Sequence, residues 1–188
     1  MDEKYMRRAI EVAKQGEEYD EVPIGCVVVK DGEIIAEAHN RKEENKSALC
    51  HAEMLALAEA AGKIGDWRLY GCDVYVTLEP CAMCAGAMIN SRVDNVFFGA
   101  YDQKAGCCGT LYNLPVDERF NHRPNVEGGI LEEECAGLLS EFFRIKREQK
   151  KKTNVEEKTP SRTGRHFNVL ICSYKPLILP LWRLRICA

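Results

Sequence analysis

Apolar residues recur at helical spacing between Asp2 and Gly16, at Tyr5, Met6, Ala9, Ile10, Val12 and Ala13, and predict an opening helix that stops at Gly16. Cys26-Val27-Val28-Val29 is a β-rich run, and Asp31-Gly32 reads as a tight turn into Glu33–Ala38, so a hairpin follows. A second helix is expected from His51 to Ala61, ending at Gly62. Asp73–Thr77 reads as a strand, Cys81–Asn90 as a helix entered through Pro80, and Asn95–Gly99 as a further strand. Asn125–Ile130 is expected to add another strand. Glu132–Lys150 reads as a long last helix with Leu138, Leu139, Phe142 and Phe143 on its apolar side. A hairpin followed by alternating helices and strands implies a layered α/β domain around a mixed sheet. There is no internal repeat.

The pattern changes after Lys150. A polar run opens with Lys150-Lys151-Lys152 and continues to about Arg165, then gives way to an apolar stretch broken by Lys175, Pro176, Pro180, Arg183 and Arg185. The expected organisation is one domain over residues 1–150 and a basic, poorly ordered extension over 151–188. Within the extension, Leu181–Ile186 mixes apolar and basic residues as a membrane-surface segment would, but its broken pattern favours a plain extension.

Composition narrows the class. Of 188 residues, 46% are hydrophobic and 29% charged, as in a globular protein with one core. No apolar run approaches the roughly 18 residues of a membrane span. Met1-Asp2-Glu3-Lys4 does not begin a signal peptide, so a cytoplasmic protein without membrane contact is expected. In that setting the ten cysteines read as reduced core thiols and not as a disulfide framework. Residues 1–149 carry 17 Lys and Arg against 27 Asp and Glu, whereas 150–188 carry 9 against 2. The acidic body argues against a broad phosphate-binding surface and leaves room for a local basic rim.

The chemistry lies in His51-Ala52-Glu53 and Pro80-Cys81-Ala82-Met83-Cys84. Catalytic zinc takes three protein ligands and keeps one position open, and His51, Cys81 and Cys84 supply three. Cys81 and Cys84 share one face of a helix start, where the helix dipole favours thiolates. Glu53 can stand beside the open position and pass protons between water and substrate. H-x-E followed by P-C-x-x-C is the signature of zinc-dependent nucleobase deaminases. The competing reading, a zinc knuckle, needs a fourth ligand that neither His39 nor His122 offers at ligand spacing.

Through Leu78-Glu79-Pro80-Cys81-Ala82-Met83-Cys84-Ala85-Gly86-Ala87 the chain resembles the bacterial tRNA-specific adenosine deaminases. The likeness runs from Met1 to about Lys150. It includes Val22-Pro23-Ile24-Gly25, His39-Asn40, Asp66-Trp67-Arg68-Leu69, Phe98-Gly99-Ala100-Tyr101-Asp102, Asn121-His122-Arg123 and Phe142-Phe143-Arg144. Ser47-Ala48-Leu49-Cys50 stands where that family commonly has Asp-Pro-Thr-Ala. The resemblance implies a three-layer α/β/α cytidine-deaminase-like domain with a central mixed five-stranded sheet, one Zn2+ per subunit, and a homodimer. It also implies conversion of the wobble adenosine of a tRNA anticodon loop to inosine. Glu53 would be the catalytic proton shuttle, Asn40 would hydrogen-bond the bound base, and the backbone N–H of Ala52 would contact the zinc-bound oxygen as part of the substrate site. Asp102, Lys104 and Arg144 are the expected RNA contacts. His122 is expected to be structural. A metabolic deaminase of free guanine, cytosine or cytidine remains the alternative function, and a zinc-stabilised binding module without turnover is the third.

Overall fold

The computed structural model describes residues 1–158, and side-chain placements up to residue 152. Residues 159–188 of the expected extension, the Leu181–Ile186 segment among them, lie outside the described residues. The amphipathic N-terminal stretch forms α1 (Glu3–Gln15), capped by the Asp2 side chain, which accepts from the Lys4 N–H at 3.0 Å. Five strands follow in one sheet: β1 (Gly25–Lys30), β2 (Glu33–His39), β3 (Cys72–Leu78), β4 (Asn95–Ala100) and β5 (Asn125–Glu127). Their order is β2-β1-β3-β4-β5. β1 pairs antiparallel with both β2 and β3, while β3–β4 and β4–β5 are parallel. Three more α-helices follow among the described residues: α2 (Ala52–Ile64), α3 (Ala82–Ser91) and α4 (Glu132–Lys158).

Side-chain alternation along the strands builds the three layers. Val27, Val29, Tyr75 and Phe97 point to the side covered by α1 and the start of α4. Cys26, Val28, Val74, Val76, Val96 and Phe98 point to the side covered by α2 and α3. This is the expected α/β/α domain with a mixed five-stranded sheet. Gly25 lets α1 lie directly on β1, since a Cβ there would sit 2.1 Å from the Ala9 carbonyl oxygen. The Gly25 N–H donates instead to Thr77 Oγ1 at 3.1 Å, closing the β1–β3 edge beside the functional loops.

Three boundaries differ from the sequence expectation. α2 runs through Gly62 and ends at Gly65, which takes the left-handed cap at φ 77°. An exposed interior glycine costs a helix only about 1 kcal/mol, so Gly62 is tolerated and the residue that can adopt positive φ sets the end. β5 stops at Glu127 and not at Ile130. Beyond it the Gly129 and Ile130 N–H groups still reach the carbonyls of Gly99 and Phe98, at 3.2 and 3.1 Å, outside ladder register. α4 continues past Lys150 to Lys158. The described cysteines, eight in all, are free thiols, and all but Cys50 and Cys81 are buried.

Candidate zinc centre and its surroundings

Two helix starts meet on the α2–α3 face of the sheet. His51 is the N-cap of α2 and Cys81 the N-cap of α3, both with extended backbone and neither with a side-chain capping hydrogen bond. Their side chains turn toward one another instead. Cys84, one turn into α3, completes the group. Cys81 Sγ lies 3.7 Å from His51 Nδ1, Cys84 Sγ lies 3.6 Å from the same nitrogen, and the two sulfurs are 3.7 Å apart. A tetrahedral ion with bonds of about 2.3 Å to sulfur and about 2.0 Å to nitrogen spaces its ligands by about 3.5–3.8 Å. The donor set and its spacing fit one zinc ion per chain, and no fourth His, Cys, Asp or Glu joins the cluster among the described residues.

The electrostatics suit such a centre. Cys81 is pulled down to about 3, first by the Cys84 thiol donating to it and then by His51 and the α3 backbone N–H groups, so it is a thiolate. Cys84 is pushed up, first by its hydrogen bond to Cys81 and then by burial, so a bound cation has to displace its proton to take it as a thiolate ligand. His51 is pushed up by its hydrogen bond to Cys81.

Glu53 follows in the first turn of α2 and is 4% exposed. Burial raises its carboxyl above the usual range, and it lies close enough to His51 and Cys81 to feel their charge. Its Oε2 is buried without a hydrogen-bond partner. Ala52, fully buried, holds the first helical position, where a backbone N–H has no intrahelical acceptor. Asn40 stands at the end of β2, and the Arg41 N–H donates to the Cys50 carbonyl at 3.0 Å, which lays the segment leaving Asn40 along the segment entering His51. Asn40 Oδ1 is the other buried side-chain oxygen without a partner. A buried oxygen left without a protein partner is a group free to meet a ligand or an ordered water.

The other expected residues sit further out. Asp102 and Lys104 occupy the loop after β4. Asp102 Oδ1 accepts from the Lys104 and Ala105 N–H groups at 2.8 and 3.2 Å, so its side chain shapes its own turn, while Lys104 is exposed. Arg144 on α4 is engaged by Glu141 and Glu148 of the same helix. His122 is structural, its Nε2 bonded to the Val93 carbonyl at 2.6 Å. In the altered run, Ser47 Oγ accepts from the Leu49 N–H and supplies a turn of the kind an aspartate could make.

Two buried carboxylates were given no role by sequence reasoning. Glu79, 2% exposed, accepts from the N–H groups of Asp102, Cys108 and Thr110 at 3.1, 3.0 and 3.0 Å, and from the Thr110 hydroxyl at 2.5 Å. It fastens the 101–110 loop beside Cys81, which itself bridges to Gly106. Glu21, fully buried, accepts from the Glu43 and Glu44 N–H groups and from Asn40 Nδ2. A buried carboxylate has no signature in a single sequence that separates it from a solvated one.

A Glu53 carboxyl beside a two-cysteine, one-histidine centre defines the class of zinc-dependent deaminases, and residues 1–100 match the family of the cytidine and deoxycytidylate deaminase zinc-binding region. The chain is 58% identical over 150 residues to the tRNA-specific adenosine deaminase of Bacillus subtilis, covering 80% of this chain and 93% of that one. A solved tRNA:A34 deaminase, from work on A-to-I editing at the wobble position of transfer RNA, superposes with a TM-score of 0.71 at 38% identity, covering 73% of this chain and all of that one. A solved guanine deaminase from Nitrosomonas europaea superposes at 0.64 with 26% identity, covering 76% and 84%. The chain belongs to the tRNA-specific adenosine deaminase family.

Proposed function

We infer that this chain deaminates the wobble adenosine of a tRNA anticodon loop to inosine, using one zinc ion held by His51, Cys81 and Cys84. The observation that carries the reading is the three-donor cluster with the buried, unpartnered Glu53 oxygen beside it. Zinc, when bound, acidifies water so that it can attack C6 of adenine. Glu53 takes a proton and delivers it to N1, then assists departure of the amine as ammonia; water is consumed and the C6–N bond breaks. Burial suits Glu53 to this exchange, because a carboxyl raised by desolvation is a stronger base than a solvated one and can still return the proton it takes. Asn40 and the Ala52 N–H orient the base, which must be splayed out of its stack, as anticodon-loop bases readily are.

An RNA substrate is favoured over a free base by the identity to tRNA-specific relatives and by the surface around α4. A cleft of about 650 Å³ beside α4 is lined by the aromatics Tyr19, Phe142 and Phe143, by Lys46 and Lys146, and by the acidic Asp20, Glu43 and Glu44, with Tyr19 and Phe143 exposed and Lys146 paired to Asp20. Its exposed aromatic rings suit stacking with unstacked bases, while its acidic side chains offset its lysines. Lys104 and Arg144 are the further RNA contacts of this reading, with Asp102 shaping the loop between.

In the same reading the catalytic domain spans residues 1–150 and works as a cytoplasmic homodimer. Leu111, Tyr112, Val116 and Phe120, all exposed on one segment, form an apolar surface suited to a second copy. No helix among the described residues is long and apolar enough to cross a membrane. The test incubates zinc-loaded protein with an anticodon stem-loop carrying A at the wobble position, with adenosine, cytosine, cytidine and guanine in parallel. Inosine in the RNA, measured by mass spectrometry, is expected; ammonia released only from a free base or nucleoside would replace this reading with a metabolic one. Light scattering on the same protein reads the dimer.

A further inference from the structure

Glu21 lies just after the 3-10 turn Gly16–Tyr19, against the start of the loop that leaves β2. One of its oxygens, Oε1, accepts from the Glu43 and Glu44 N–H groups at 2.6 and 2.8 Å. The other, Oε2, accepts from Asn40 Nδ2 at 3.2 Å. Glu21 is fully buried and Asn40 is 4% exposed. An ionised carboxylate can only accept, so it draws the NH2 end of the amide and fixes which end of Asn40 faces away. The end left over is Oδ1, buried and without a partner.

We propose that Glu21 is a positioning residue: it locks the Asn40 amide so that its carbonyl oxygen is presented to the substrate as an acceptor for an N–H or O–H donor. The same carboxylate pins the loop that carries the chain from Asn40 toward His51, so amide orientation and loop position are set by one group. This rests on the reading of Asn40 as a substrate contact.

Glu21→Gln separates the two tasks. The new amide keeps one oxygen, which satisfies the two loop N–H groups, and turns its NH2 toward Asn40. Two NH2 groups cannot face each other, so the Asn40 amide flips and offers its nitrogen to the substrate instead. The expected result is unchanged zinc content and melting temperature, with kcat/KM for the wobble-A stem-loop down by about 10- to 100-fold, the scale of a misplaced substrate contact. Asn40→Ala should lose activity to a similar degree. The double variant should be no worse than Asn40→Ala alone, because Glu21 acts through that amide. Multiplying losses in the double variant would overturn the proposal.

A second readout does not depend on turnover. In 15N-labelled protein the Asn40 side-chain NH2 pair should be protected from exchange by Glu21, and Glu21→Gln should shift the pair and remove that protection. An unmoved pair would also overturn the proposal. If the unsubstituted protein makes no inosine but the Asn40 pair responds, the positioning role stands and the tRNA reading falls.

Discussion

Replacing Glu79 tests whether a buried carboxylate organises the loop next to the metal cluster. Glu79→Ala removes the acceptor for three backbone N–H groups and one hydroxyl, at 2.5–3.1 Å, from a residue 2% exposed. Hydrogen bonds to a charged group contribute about 1.5–3 kcal/mol each, and a donor left buried and unpaired costs about 1–3 kcal/mol. The four are neighbours and will not add in full, so about 4–6 kcal/mol is the expected loss. For a chain of this size each kcal/mol moves the melting temperature by about 2–4 °C, so a fall of about 8–24 °C follows. Glu79→Gln keeps the shape and one acceptor oxygen. If its NH2 takes the Oε2 side it opposes the Asp102 N–H, and the Thr110 hydroxyl can rotate to accept from it. The loss should then be about 1–3 kcal/mol, one donor left unpaired. Calorimetry on zinc-loaded protein gives both values. Amide exchange at Asp102, Cys108 and Thr110 should accelerate in the order Gln, then Ala. Refutation is simple: Glu79→Ala melting within about 3 °C of the unsubstituted protein would show that the four bonds are replaced by water at little cost.

Glu53→Gln should retain about one zinc per chain by elemental analysis while kcat falls by about 10²–10⁴-fold, the range of a lost proton shuttle; full turnover would remove Glu53 from the mechanism. Cys84→Ala should lose zinc, since two donors remain of three, and metal content equal to the unsubstituted protein would strike Cys84 from the ligand set. A pH-dependent effect is expected at Glu37, whose two oxygens accept from Arg8 at 2.6 and 2.9 Å. That pairing holds the carboxyl below its usual value, so its contribution is complete above the unfolded value of about 4.3 and fades as pH falls through the folded one. Both side chains are about one-third exposed, so Glu37→Gln should cost only about 0.5–1 kcal/mol at pH 7. Urea unfolding at pH 7 and pH 3 checks this, and an equal gap at both pH values would contradict it.

What could be read from the sequence was what local spacing encodes. His51 and Glu53 lie two apart, Cys81 and Cys84 one helical turn apart, and each pair needs only its own helix start to be placed. The amphipathic pattern likewise located α1 and β1 to β4 to within a residue. Gly62 was misleading because exposure lets a helix carry a glycine, while the real stop depends on which residue reaches positive φ. β5 was overextended because Ile130, although apolar and buried, bonds to β4 out of ladder register. Glu21 and Glu79 were silent for a different reason. Their partners lie about 20–30 positions away and are mostly backbone N–H groups, which carry no residue identity.

Those two carboxylates also bear on how one zinc centre serves different substrates. The cluster is built from helix starts on the sheet, and a guanine deaminase shares the same fold, so the fold does not choose the base. The choice must lie in the segments that wall the pocket. Two segments that run beside the cluster, the loop after β2 and the loop after β4, are each fastened by one buried acidic side chain accepting backbone N–H groups. Anchoring through the backbone leaves the loop side chains free to vary. Ser47–Cys50 can therefore depart from the usual Asp-Pro-Thr-Ala while His51 stays on its metal face, because the loop is held through its own backbone, by Arg41 N–H to the Cys50 carbonyl and by Glu43 N–H to the Glu21 carboxylate. On this argument substitutions at Ser47 or Leu49 should alter substrate affinity more than metal content, whereas substitutions at Glu21 or Glu79 disturb the pocket wall itself.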